Sequence, residues 1–506
     1  MTFLQLLDGV EVLAESGNPA VSSVEYDSRR VKPGSVFVAI RGESTDGNRF
    51  IDQAIQSGAV AVVTDSAEEK ARPKAGWALV ADGRRALARI SANFYKHPAE
   101  RLAIIGITGT NGKSTTAFLI ESILSAAGRK SALIGTIEYR VAGRVYPAPH
   151  TTPEALELSR ILNEAVGNGA SEAVMEVSSH ALAQQRVFGI PFEVAVFTNL
   201  TRDHLDYHKT MDEYFAAKRV LFEGCGTDPP RVAVTNLDDE YGAKLVPFSR
   251  KRGSIVWSYG WERGDFHAEK AEVGPRGTRF DLVMPEQKIP VFSPLIGRVN
   301  VYNTLAATAA AYARGCDAKT IASGIESLAN VPGRFEGVDC GQPFTVVIDY
   351  AHTDDALRNL TALAREFVAR RGESGRVLTV FGCGGDRDRA KRPMMGDAAG
   401  RGSDFVVLTS DNPRSEDPRA IINDALVGLQ KTGTKYVVEP DRRKAIAIAI
   451  HEARPGDIVL LAGKGHEKVQ VMREGPVVFD DIEVARAALR AAGFECQSIE
   501  ASETQG

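Results

Sequence analysis

The segment from residue 102 to 124 constrains this chain more than any other. An apolar strand at 102–107 runs into Thr108-Gly109-Thr110-Asn111-Gly112-Lys113-Ser114, and a helix rich in Ala, Leu and Ile follows. Backbone N–H groups of a glycine-rich turn and the N-terminus of the next helix can wrap phosphate oxygens. A lysine and a hydroxyl in this place reach the β and γ phosphates and hold Mg²⁺. The segment therefore predicts a nucleoside triphosphate site on a parallel α/β sheet.

The spacing of this loop departs from the usual pattern, in which a glycine stands five residues before the Gly of Gly-Lys-Ser/Thr. Here the earlier glycine is Gly106 or Gly109. The alternative interpretation is a glycine-rich turn that only links a strand to a helix. The strand, the lysine-serine pair and the helix together favour a phosphate loop. Motors, switches, kinases and ligases all use such loops, so the reaction stays open.

The chain length and the order of its elements predict three α/β domains. The 506 residues correspond to roughly three domains of about 150 residues. We expect domains at 1–98, 99–332 and 333–495, followed by a tail at 496–506. Strands that alternate with helices favour parallel sheets. Strands are expected at 36–40, 59–63, 102–107, 173–177, 194–198, 232–235, 345–350, 377–381, 405–409 and 458–462.

Charge and cysteine content exclude several classes of protein. The 61 basic and 65 acidic residues give a net charge of −4, which argues against a nucleic-acid partner and against a polybasic membrane-surface protein. No signal peptide and no apolar run of about 20 residues is present. The five cysteines are scattered, with no C-x-x-C pair, and predict reduced thiols. We expect a cytoplasmic, monomeric enzyme without a membrane span.

Polar side chains in the central segment are typical of a triphosphate site. Glu176 follows an apolar strand and is a candidate Mg²⁺ ligand, either directly or through water. The alternative is a buried glutamate paired with a base. The run 199–208 contains two Asp, two His and an Arg, and this density favours a site. Lys218, in a helix expected at 212–222, looks on pattern alone like a solvated surface lysine.

Four polar loops follow strands in the third segment. They lie at 350–353, 384–387, 410–414 and 463–467. Open α/β sheets bind ligands at the carboxyl ends of their strands. The third domain therefore has a predicted ligand site that is separate from the phosphate loop.

Seven motifs, in their order along the chain, resemble those of the Mur ligases, the ATP-dependent amide-forming enzymes of peptidoglycan synthesis. They lie at 106–115, 151–153, 176–180, 199–204, 332–336, 349–352 and 463–467. The resemblance extends from Asp27-Ser28-Arg29 to Glu467, nearly the whole chain. It implies a small N-terminal domain for the uridine nucleotide, a central P-loop ATPase domain and a C-terminal Rossmann-like domain for the incoming amino acid.

The resemblance also implies site residues, with ATP and Mg²⁺ as cofactors. Catalytic roles fall on Lys113, Glu176, His204 and Lys218, and the metal would be held by Ser114, Glu176 and Lys218 as a carbamate. The nucleotide would contact Gly109, Thr110, Asn111, Gly112, Lys113, Ser114, Thr115, Asn303, Arg334, Asp349 and His352. The UDP-MurNAc-dipeptide would contact Tyr26, Ser28, Glu43, Ser44, Thr45, His150, Thr151, Thr152, Ser178, Gln184 and Arg186. Two positions depart from the family pattern, with Asp354 in place of a frequent Pro and His150 in place of a frequent Asn.

The tetrad Asp411-Asn412-Pro413-Arg414 bears on which amino acid is added. In the resembled family it marks the members that add meso-diaminopimelate, while lysine-adding members lack the arginine. A guanidinium can grip the extra carboxylate of diaminopimelate bidentately. Arg387 could assist, and Glu467 with the Gly463 carbonyl would receive the distal ammonium. The alternative is that Arg414 caps a loop carbonyl or pairs with Glu416 or Asp417.

The resemblance implies that meso-diaminopimelate joins UDP-MurNAc-L-Ala-D-Glu through an acyl phosphate. His204 and nearby carboxylates are candidate bases, and none is assigned. Three alternatives remain. A lysine-adding homologue would differ in its acceptor, and a folylpolyglutamate synthetase-like ligase would lack the N-terminal domain. A P-loop switch or motor would need no amine acceptor, which the polar loops of the third segment disfavour.

Overall fold

The computed structural model describes residues 1–42, 45–68, 75–274, 276–370 and 375–496. Glu43 and Ser44, both predicted at the uridine end, lie outside the described residues, as do residues 497–506 of the predicted tail. Within the described ranges no helix has the length and apolarity needed to cross a membrane. Three sheet-containing regions follow one another along the chain, which confirms the predicted α/β fold class.

The N-terminal region is a five-stranded sheet in the order β1-β5-β4-β3-β2. Its strands are β1 (Val12–Ser16), β2 (Ser23–Glu25), β3 (Ser35–Val38), β4 (Ala61–Thr64) and β5 (Gly76–Val80), and its helices are α1 (Phe3–Leu6), α2 (Ile51–Gln56) and α3 (Gly83–Phe94). β3 and β4 are buried along their whole length, as expected of parallel strands covered on both faces. Only β1 runs antiparallel to its neighbour.

The central region contains an eleven-stranded sheet in the order β16-β15-β14-β13-β12-β11-β6-β10-β7-β8-β9. Its strands are β6 (Ala103–Thr108), β7 (Ser131–Ile134), β8 (Glu138–Val141), β9 (Arg144–Pro147), β10 (Glu172–Glu176), β11 (Phe192–Phe197), β12 (Val232–Asn236), β13 (Ile255–Gly260), β14 (Phe266–Gly274), β15 (Gly277–Val283) and β16 (Lys288–Ser293). Its helices are α4 (Lys113–Ala126), α5 (Ala155–Gly167), α6 (Ser179–Ala183), α7 (Leu205–His208), α8 (Met211–Glu223), α9 (Glu240–Lys251), α10 (Arg298–Ala313) and α11 (Ala318–Ser327). β6 pairs in parallel with β10 on one side and β11 on the other, so the predicted phosphate loop leaves the middle of the sheet.

Both faces of the central sheet are covered by helices. Ile105 and Ile107 of β6 pack into a core with α4, α10 and α11, whereas Ile104 points into the opposite core with α5, α8 and α9. This alternation follows from the period of two in a strand. It holds the end of β6, where the loop begins, between two rigid layers.

The third region is a six-stranded sheet in the order β17-β18-β22-β19-β20-β21, with a separate hairpin. The strands are β17 (Glu336–Val338), β18 (Thr345–Asp349), β19 (Val377–Phe381), β20 (Phe405–Leu408), β21 (Lys435–Val438) and β22 (Ile458–Ala462), and the hairpin strands are β23 (Val469–Met472) and β24 (Gly475–Val478). The helices are α12 (Asp354–Arg370), α13 (Lys391–Gly402), α14 (Pro418–Leu429), α15 (Arg442–Glu452) and α16 (Asp481–Ala491). All four polar loops predicted as a ligand site leave the same edge of this sheet, because the strands before them are parallel.

The prediction that all five cysteines are reduced thiols is wrong for one pair. Cys340 and Cys496 form a disulfide across 156 residues of sequence, while Cys225, Cys316 and Cys383 are free and buried. The chain just after α16 lies beside the segment that follows β17. Cysteine spacing cannot reveal this pair, because only the fold brings its two members together.

Candidate active site

The phosphate loop joins β6 to α4 through two glycines that a side chain could not replace. Gly109 and Gly112 have φ angles of 149° and 85°, in the region that favours glycine. A Cβ atom on Gly109 would overlap Thr198 Oγ1, and one on Gly112 would overlap Asn303 Oδ1. The loop is thus pressed against its neighbours, which leaves the unpaired N–H groups of the first turn of α4 facing outward.

The segment after β11 fixes the shape of this loop. Thr110 N donates to Asn199 O at 2.8 Å, and Asn111 N donates to Asn199 Oδ1 at 2.9 Å. Thr198 Oγ1 donates in turn to Asn111 O at 2.7 Å. Asn199, the first residue of the run 199–208, is therefore in direct contact with the phosphate loop.

Lys218 is buried, with 2% of its surface exposed, so the interpretation as a solvated surface lysine is wrong. The residue lies on α8, and its side chain reaches back to the phosphate loop, where Nζ donates to Gly109 O at 2.8 Å. Burial, and next to it the charge of Lys113, lowers the pKa of the Lys218 ammonium well below its usual range. A depressed pKa favours a neutral amine that can react.

Glu176 ends β10 and is buried, with both carboxylate oxygens held by Thr136. Thr136 N donates to Oε1 at 2.8 Å, and Thr136 Oγ1 donates to Oε2 at 3.0 Å. The charge of Glu176 acts on Lys113, whose pKa is lowered by burial and partly restored by that carboxylate. The glutamate is thus oriented by neutral donors and faces the phosphate loop.

The chemistry of these side chains fits an Mg²⁺ ion. Among the described residues no group of three or more His, Cys, Asp or Glu side chains could hold a metal by itself. Mg²⁺ is usually bound through one or two carboxylates together with substrate phosphates. The Glu176 carboxylate and the Ser114 hydroxyl are oxygen donors of this kind, and a carbamate on Lys218 would be another.

The residues expected to hold the dipeptide lie together beside Glu176. Thr152 Oγ1 donates to Glu176 O at 2.9 Å and accepts from Ser178 N at 3.0 Å. Arg186 donates to Thr152 O at 3.0 Å and to Gln184 Oε1 at 2.7 Å. Thr151 Oγ1 lies 3.1 Å from Thr136 Oγ1, which joins this group to the metal candidates. The side chain of His150 is exposed, and its carbonyl accepts from Tyr139 OH at 2.5 Å.

Two of the residues expected at the uridine end contact helices, Tyr26 on α5 and Ser28 on α2. Tyr26 OH donates to Glu157 Oε2 at 3.1 Å, and Ser28 Oγ donates to Gln53 Oε1 at 3.3 Å. Burial, followed by the charge of Glu157, raises the pKa of the Tyr26 phenol. Thr45 is exposed. These residues belong to the N-terminal region, and Tyr26 lies where that region contacts the central one.

The third region contacts the phosphate loop directly. Arg334 Nη2 donates to Ser114 Oγ at 3.1 Å, and Asn111 Nδ2 donates to Asp355 Oδ2 at 3.0 Å. The half-buried Asp349 accepts from Phe335 N and from Ala351 N, both at 2.8 Å, and so ties the segment after Arg334 to the strand that ends at Asp349. Three of the residues expected around the nucleotide, Arg334, Asp349 and His352, therefore come from outside the central region.

Asp203 lies close to basic side chains from both the central and the third region. Its carboxylate lies 3.4 Å from Lys391 Nζ, 3.4 Å from His204 Nε2 and 3.9 Å from His352 Nε2. Burial alone would raise the pKa of Asp203, but these neighbours hold it well below its usual range. The His204 side chain keeps 38% of its surface exposed. Loss of solvation by the surrounding protein lowers its pKa to about 3, so the imidazole is neutral at pH 7.

The polar loops at 384–387, 410–414 and 463–467 are called the acceptor loops below. The first two of them bring Arg387 and Arg414 side by side. Arg414 has a φ angle of 53°, and its Nη1 donates to Gly385 O at 2.8 Å, so it does cap a loop carbonyl, as one alternative proposed. Glu416 instead pairs with the buried Arg392 at 2.7 Å. Burial lowers the pKa of Arg414, and the nearby charge of Arg387 lowers it further. The pair leaves a cationic surface suited to a carboxylate.

Next to these arginines, Asn412 Nδ2 donates to Glu467 Oε2 at 2.8 Å. Asp411 is buried and accepts from Asn412 N at 2.6 Å. Pro413 lies between them and Arg414 in the same loop, and Gly463 N donates to Asp349 O at 3.0 Å. The acceptor loops are thus continuous with the strand that leads to the nucleotide residues.

Several residues at the site were not assigned from the sequence. Three of them, Asn199, Tyr350 and Lys464, lie inside motifs that resemble those of the Mur ligases. The sequence therefore pointed to these positions but did not indicate what each side chain does. Lys391 and Arg392 end a run of charges that begins at Asp386, a weaker signal. Thr136 follows β7 with no distinguishing pattern, and only the fold places it beside Glu176.

Comparison with known proteins agrees with this architecture. Three family models match the chain: the Mur ligase family catalytic domain at 20–95, the Mur ligase middle domain at 107–311 and the Mur ligase glutamate ligase domain at 333–465. A UDP-N-acetylmuramoyl-L-alanyl-D-glutamate--2,6-diaminopimelate ligase of Solibacter usitatus is 54% identical over 482 residues, which is 95% of this chain and 96% of that protein.

Two solved structures share the fold along most of their length. A UDP-N-acetylmuramoyl-L-alanyl-D-glutamate--2,6-diaminopimelate ligase has a TM-score of 0.67 and 33% identity, covering 97% of this chain and 99% of that one. A MurF ligase of Thermotoga maritima in complex with ADP has a TM-score of 0.63 and 20% identity, covering 93% and 98%. The second likeness concerns the fold alone.

Proposed function

Because this chain belongs to the Mur ligase family, we propose that it is an ATP-dependent ligase that adds meso-2,6-diaminopimelate to UDP-MurNAc-L-Ala-D-Glu. One observation carries the proposal beyond family membership. The phosphate loop and the segment after β11 contact the third region, which carries Arg414 and Glu467, through Arg334 to Ser114 and Lys391 to Asp203. Such a site can activate a carboxylate with ATP and present an amine to it.

The division of labour among the domains is part of the proposal. Residues 1–98 would bind the uridine nucleotide, 99–332 ATP and the dipeptide, and 333–495 the amino acid. The N-terminal set is supported by Tyr26, which bonds to Glu157 of α5, and by Ser28, which bonds to Gln53 of α2. The proposal includes a cytoplasmic location and a monomeric state, and light scattering at the 54.5 kDa of one chain would test the latter.

In the first step, an oxygen of the D-glutamyl γ-carboxylate attacks the γ-phosphorus of ATP. A new O–P bond forms, the bridging bond to the β-phosphate breaks, and ADP leaves an acyl phosphate behind. Lys113, Arg334 and the amides at the N-terminus of α4 would stabilise the charge on the transferred phosphoryl group. The Arg334 contact with Ser114 supports this role.

Ser114, Glu176 and a carbamylated Lys218 would hold the Mg²⁺ ion. Bound there, Mg²⁺ supplies charge neutralisation at the phosphate oxygens. The carbamate forms when the neutral amine of Lys218 adds to CO₂, with an N–C bond made and one proton released. The lowered pKa of Lys218 supports this modification, because only the unprotonated amine can react.

In the second step, the neutral amine of diaminopimelate attacks the acyl carbon. The C–N bond forms, the amine loses a proton, and inorganic phosphate leaves from the tetrahedral intermediate. His204 lies 3.4 Å from the Asp203 carboxylate, and this contact supports it as the proton acceptor. Asp203 would hold the imidazolium that results.

Arg414 and Arg387 would bind the distal carboxylate of diaminopimelate, with Asp411, Asn412, Pro413, Gly463 and Glu467 forming the rest of the pocket. When the ligand binds, Arg414 would exchange the Gly385 carbonyl for that carboxylate. L-Lysine lacks the carboxylate and would leave two neighbouring cations unpaired. Loss of such a pairing gives about 10⁴–10⁵-fold discrimination where a site is built to bond the missing group.

The test is a coupled assay of phosphate release with ATP, UDP-MurNAc-L-Ala-D-Glu and either meso-diaminopimelate or L-lysine. We expect product with diaminopimelate and at least about 10³-fold lower kcat/KM with L-lysine. Folded enzyme that makes no product with diaminopimelate contradicts the proposal. Equal use of lysine would point to the lysine-adding alternative, and glutamate-dependent, folate-stimulated turnover to the folylpolyglutamate alternative.

Lys113→Ala provides the internal control for this assay. It removes the ammonium from the phosphate loop and should lower turnover by about 10³-fold or more. Lys130→Ala, at an exposed lysine beyond the other end of α4, should leave turnover unchanged. ATP hydrolysis that continues without any amine acceptor at the full rate would favour a switch or motor.

A further inference from the structure

Lys464 is a fully buried lysine that the mechanism above does not use. None of its surface is exposed, and its Nζ makes three hydrogen bonds. It donates to Asn412 Oδ1 at 3.1 Å, to Glu467 Oε2 at 2.9 Å and to Val469 O at 2.6 Å. One ammonium thus joins the two loops of the acceptor pocket to the start of the hairpin β23–β24.

The hairpin completes this connection. Val471 N donates to Asn412 Oδ1 at 2.9 Å, and Arg414 N donates to Val471 O at 3.0 Å. Gln470 Nε2 donates to Asp411 O at 2.5 Å. Three consecutive hairpin positions, counting Val469, Gln470 and Val471, therefore contact Lys464 or the loop 411–414.

We propose that Lys464 is a positioning residue that sets the acceptor pocket by holding Asn412 and Glu467 against the hairpin. The inference rests on the proposed function, since it concerns the residues that would receive diaminopimelate. Lys464 does not touch the ligand in this scheme. Its ammonium determines where the amide of Asn412 and the carboxylate of Glu467 point.

The physical reason is the shared environment of the two acceptors. Asn412 Oδ1 and Glu467 Oε2 both accept from Lys464 Nζ. Without the ammonium, the Glu467 carboxylate, which has only 26% of its side chain exposed, would keep a negative charge near the Asn412 side-chain oxygen with no cation between them, and this is costly. Glu467 would then turn toward solvent and Asn412 would lose its orientation. The nucleotide loop, which Lys464 does not contact, should be unaffected.

The test is Lys464→Met, which keeps the length of the side chain and removes its charge. The KM for meso-diaminopimelate should rise by about 10- to 100-fold, as expected when hydrogen bonds to a charged group are lost. The KM for ATP should stay within about 2-fold, and preference over L-lysine should fall by about 10-fold or more. A merely structural lysine would lower the amount of active enzyme and leave these ratios unchanged.

The matched control is Lys468→Met. Lys468 is four residues further along the same segment, pairs with Asp480 at 2.7 Å and has 58% of its side chain exposed. It should behave like the unsubstituted enzyme. If Lys464→Met does not fold, Lys464→Gln, which keeps a donor without the charge, is measured in the same way.

A double substitution tests whether Lys464 acts through Glu467. The variant Lys464→Met with Glu467→Gln should lose little more than Glu467→Gln alone, since residues in one network are not additive. Additive losses, an unchanged diaminopimelate KM, or equal rises in both KM values would overturn the inference. These outcomes are separate from failure of the proposed function, in which the unsubstituted enzyme itself makes no product with diaminopimelate.

Discussion

Lys113 and Lys218 donate to the same acceptor, the carbonyl oxygen of Gly109, at 3.0 Å and 2.8 Å. The two ammonium groups share one carbonyl, and the charge of Lys113 helps to lower the pKa of Lys218. The repulsion between them would be relieved if one of them became neutral and then, as a carbamate, anionic. Lys218, the more strongly shifted residue, is the one placed to change.

We expect Lys218→Ala to lose about 10²–10³-fold in kcat, because an oriented charge at the phosphates would be missing. Added acetate should restore part of the rate, since a small carboxylate can occupy the space of a carbamate. Lys244→Ala, at an exposed lysine that pairs with Glu240, should keep full activity and show no response to acetate. Loss of activity without any rescue would mean that Lys218 is needed only as an ammonium.

Arg414→Ala should raise the KM for meso-diaminopimelate by about 100-fold, the loss expected for hydrogen bonds between two charged groups. Arg414→Lys keeps the charge but not the planar fork and should recover only part of this. The KM for ATP should change little, because Arg414 bonds within the acceptor loops. Steady-state kinetics with Arg419→Ala, an exposed arginine on α14, gives the control. Equal changes in both KM values would make Arg414 a structural residue.

Stability should fall in mild acid because of His208. The imidazole is buried, lies 2.9 Å from Ser179 Oγ and stacks on Tyr214. Burial, then the charges of His180 and Lys218, lowers its pKa to about 4 against a weak opposing effect of Asp206. An unfolded histidine titrates near about 6.5. Between these values the unfolded chain binds more protons, so stability is full above about pH 7 and declines as the pH falls toward 4.

His208→Gln removes this titration and keeps a hydrogen-bonding group near Ser179. The drop in Tm between pH 7 and pH 5 should become smaller by about 2–4 °C, as expected for roughly 1 kcal/mol in a domain of 150–250 residues. Differential scanning fluorimetry measures this directly. His451→Gln, on an exposed position of α15, should leave the pH dependence unaltered. The same drop in both variants would contradict the assignment to His208.

Thiol titration should distinguish the disulfide from the free cysteines. Denatured but unreduced protein should react with three equivalents of a thiol reagent, for Cys225, Cys316 and Cys383, and with five after reduction. Cys340→Ser should give four in both states, because Cys496 loses its partner. Five reactive thiols before reduction would show that the pair is not formed.

The buried parallel strands were predictable because a short, continuous apolar run bounded by turn residues is typical of a strand that is covered on both faces. Strands β19 and β22 were predicted at 377–381 and 458–462, with the bounds that the structure gives them. The antiparallel strands β14–β16 and the hairpin β23–β24 were not predicted; β14 does alternate between buried and more exposed positions, whereas the hairpin strands are partly or fully exposed along their length. Strand pairing at an edge depends on partners that a local pattern does not contain.

The local sequence pattern predicted the phosphate loop. The burial of Lys218 against that loop depends on the fold and could not be predicted from the pattern. A lysine on an amphipathic helix looks the same whether its face is solvated or buried against a loop that lies 109 residues earlier. Family resemblance indicated the residue, and the buried contact with Gly109 supplies a physical reason for its reactivity. Lys391 and Thr136 show the same limit, because each acts through a residue distant in sequence.

The contacts of Arg334 with Ser114 and of Asp355 with Asn111 divide the nucleotide site between two regions of the chain. ATP held by the central region alone would lack the arginine and meet water where the third region should stand. Hydrolysis of ATP without an acceptor would then be slow until the third region contacts the phosphate loop. Phosphoryl transfer from ATP would require both regions to be in contact, which would link consumption of ATP to the presence of the amine acceptor.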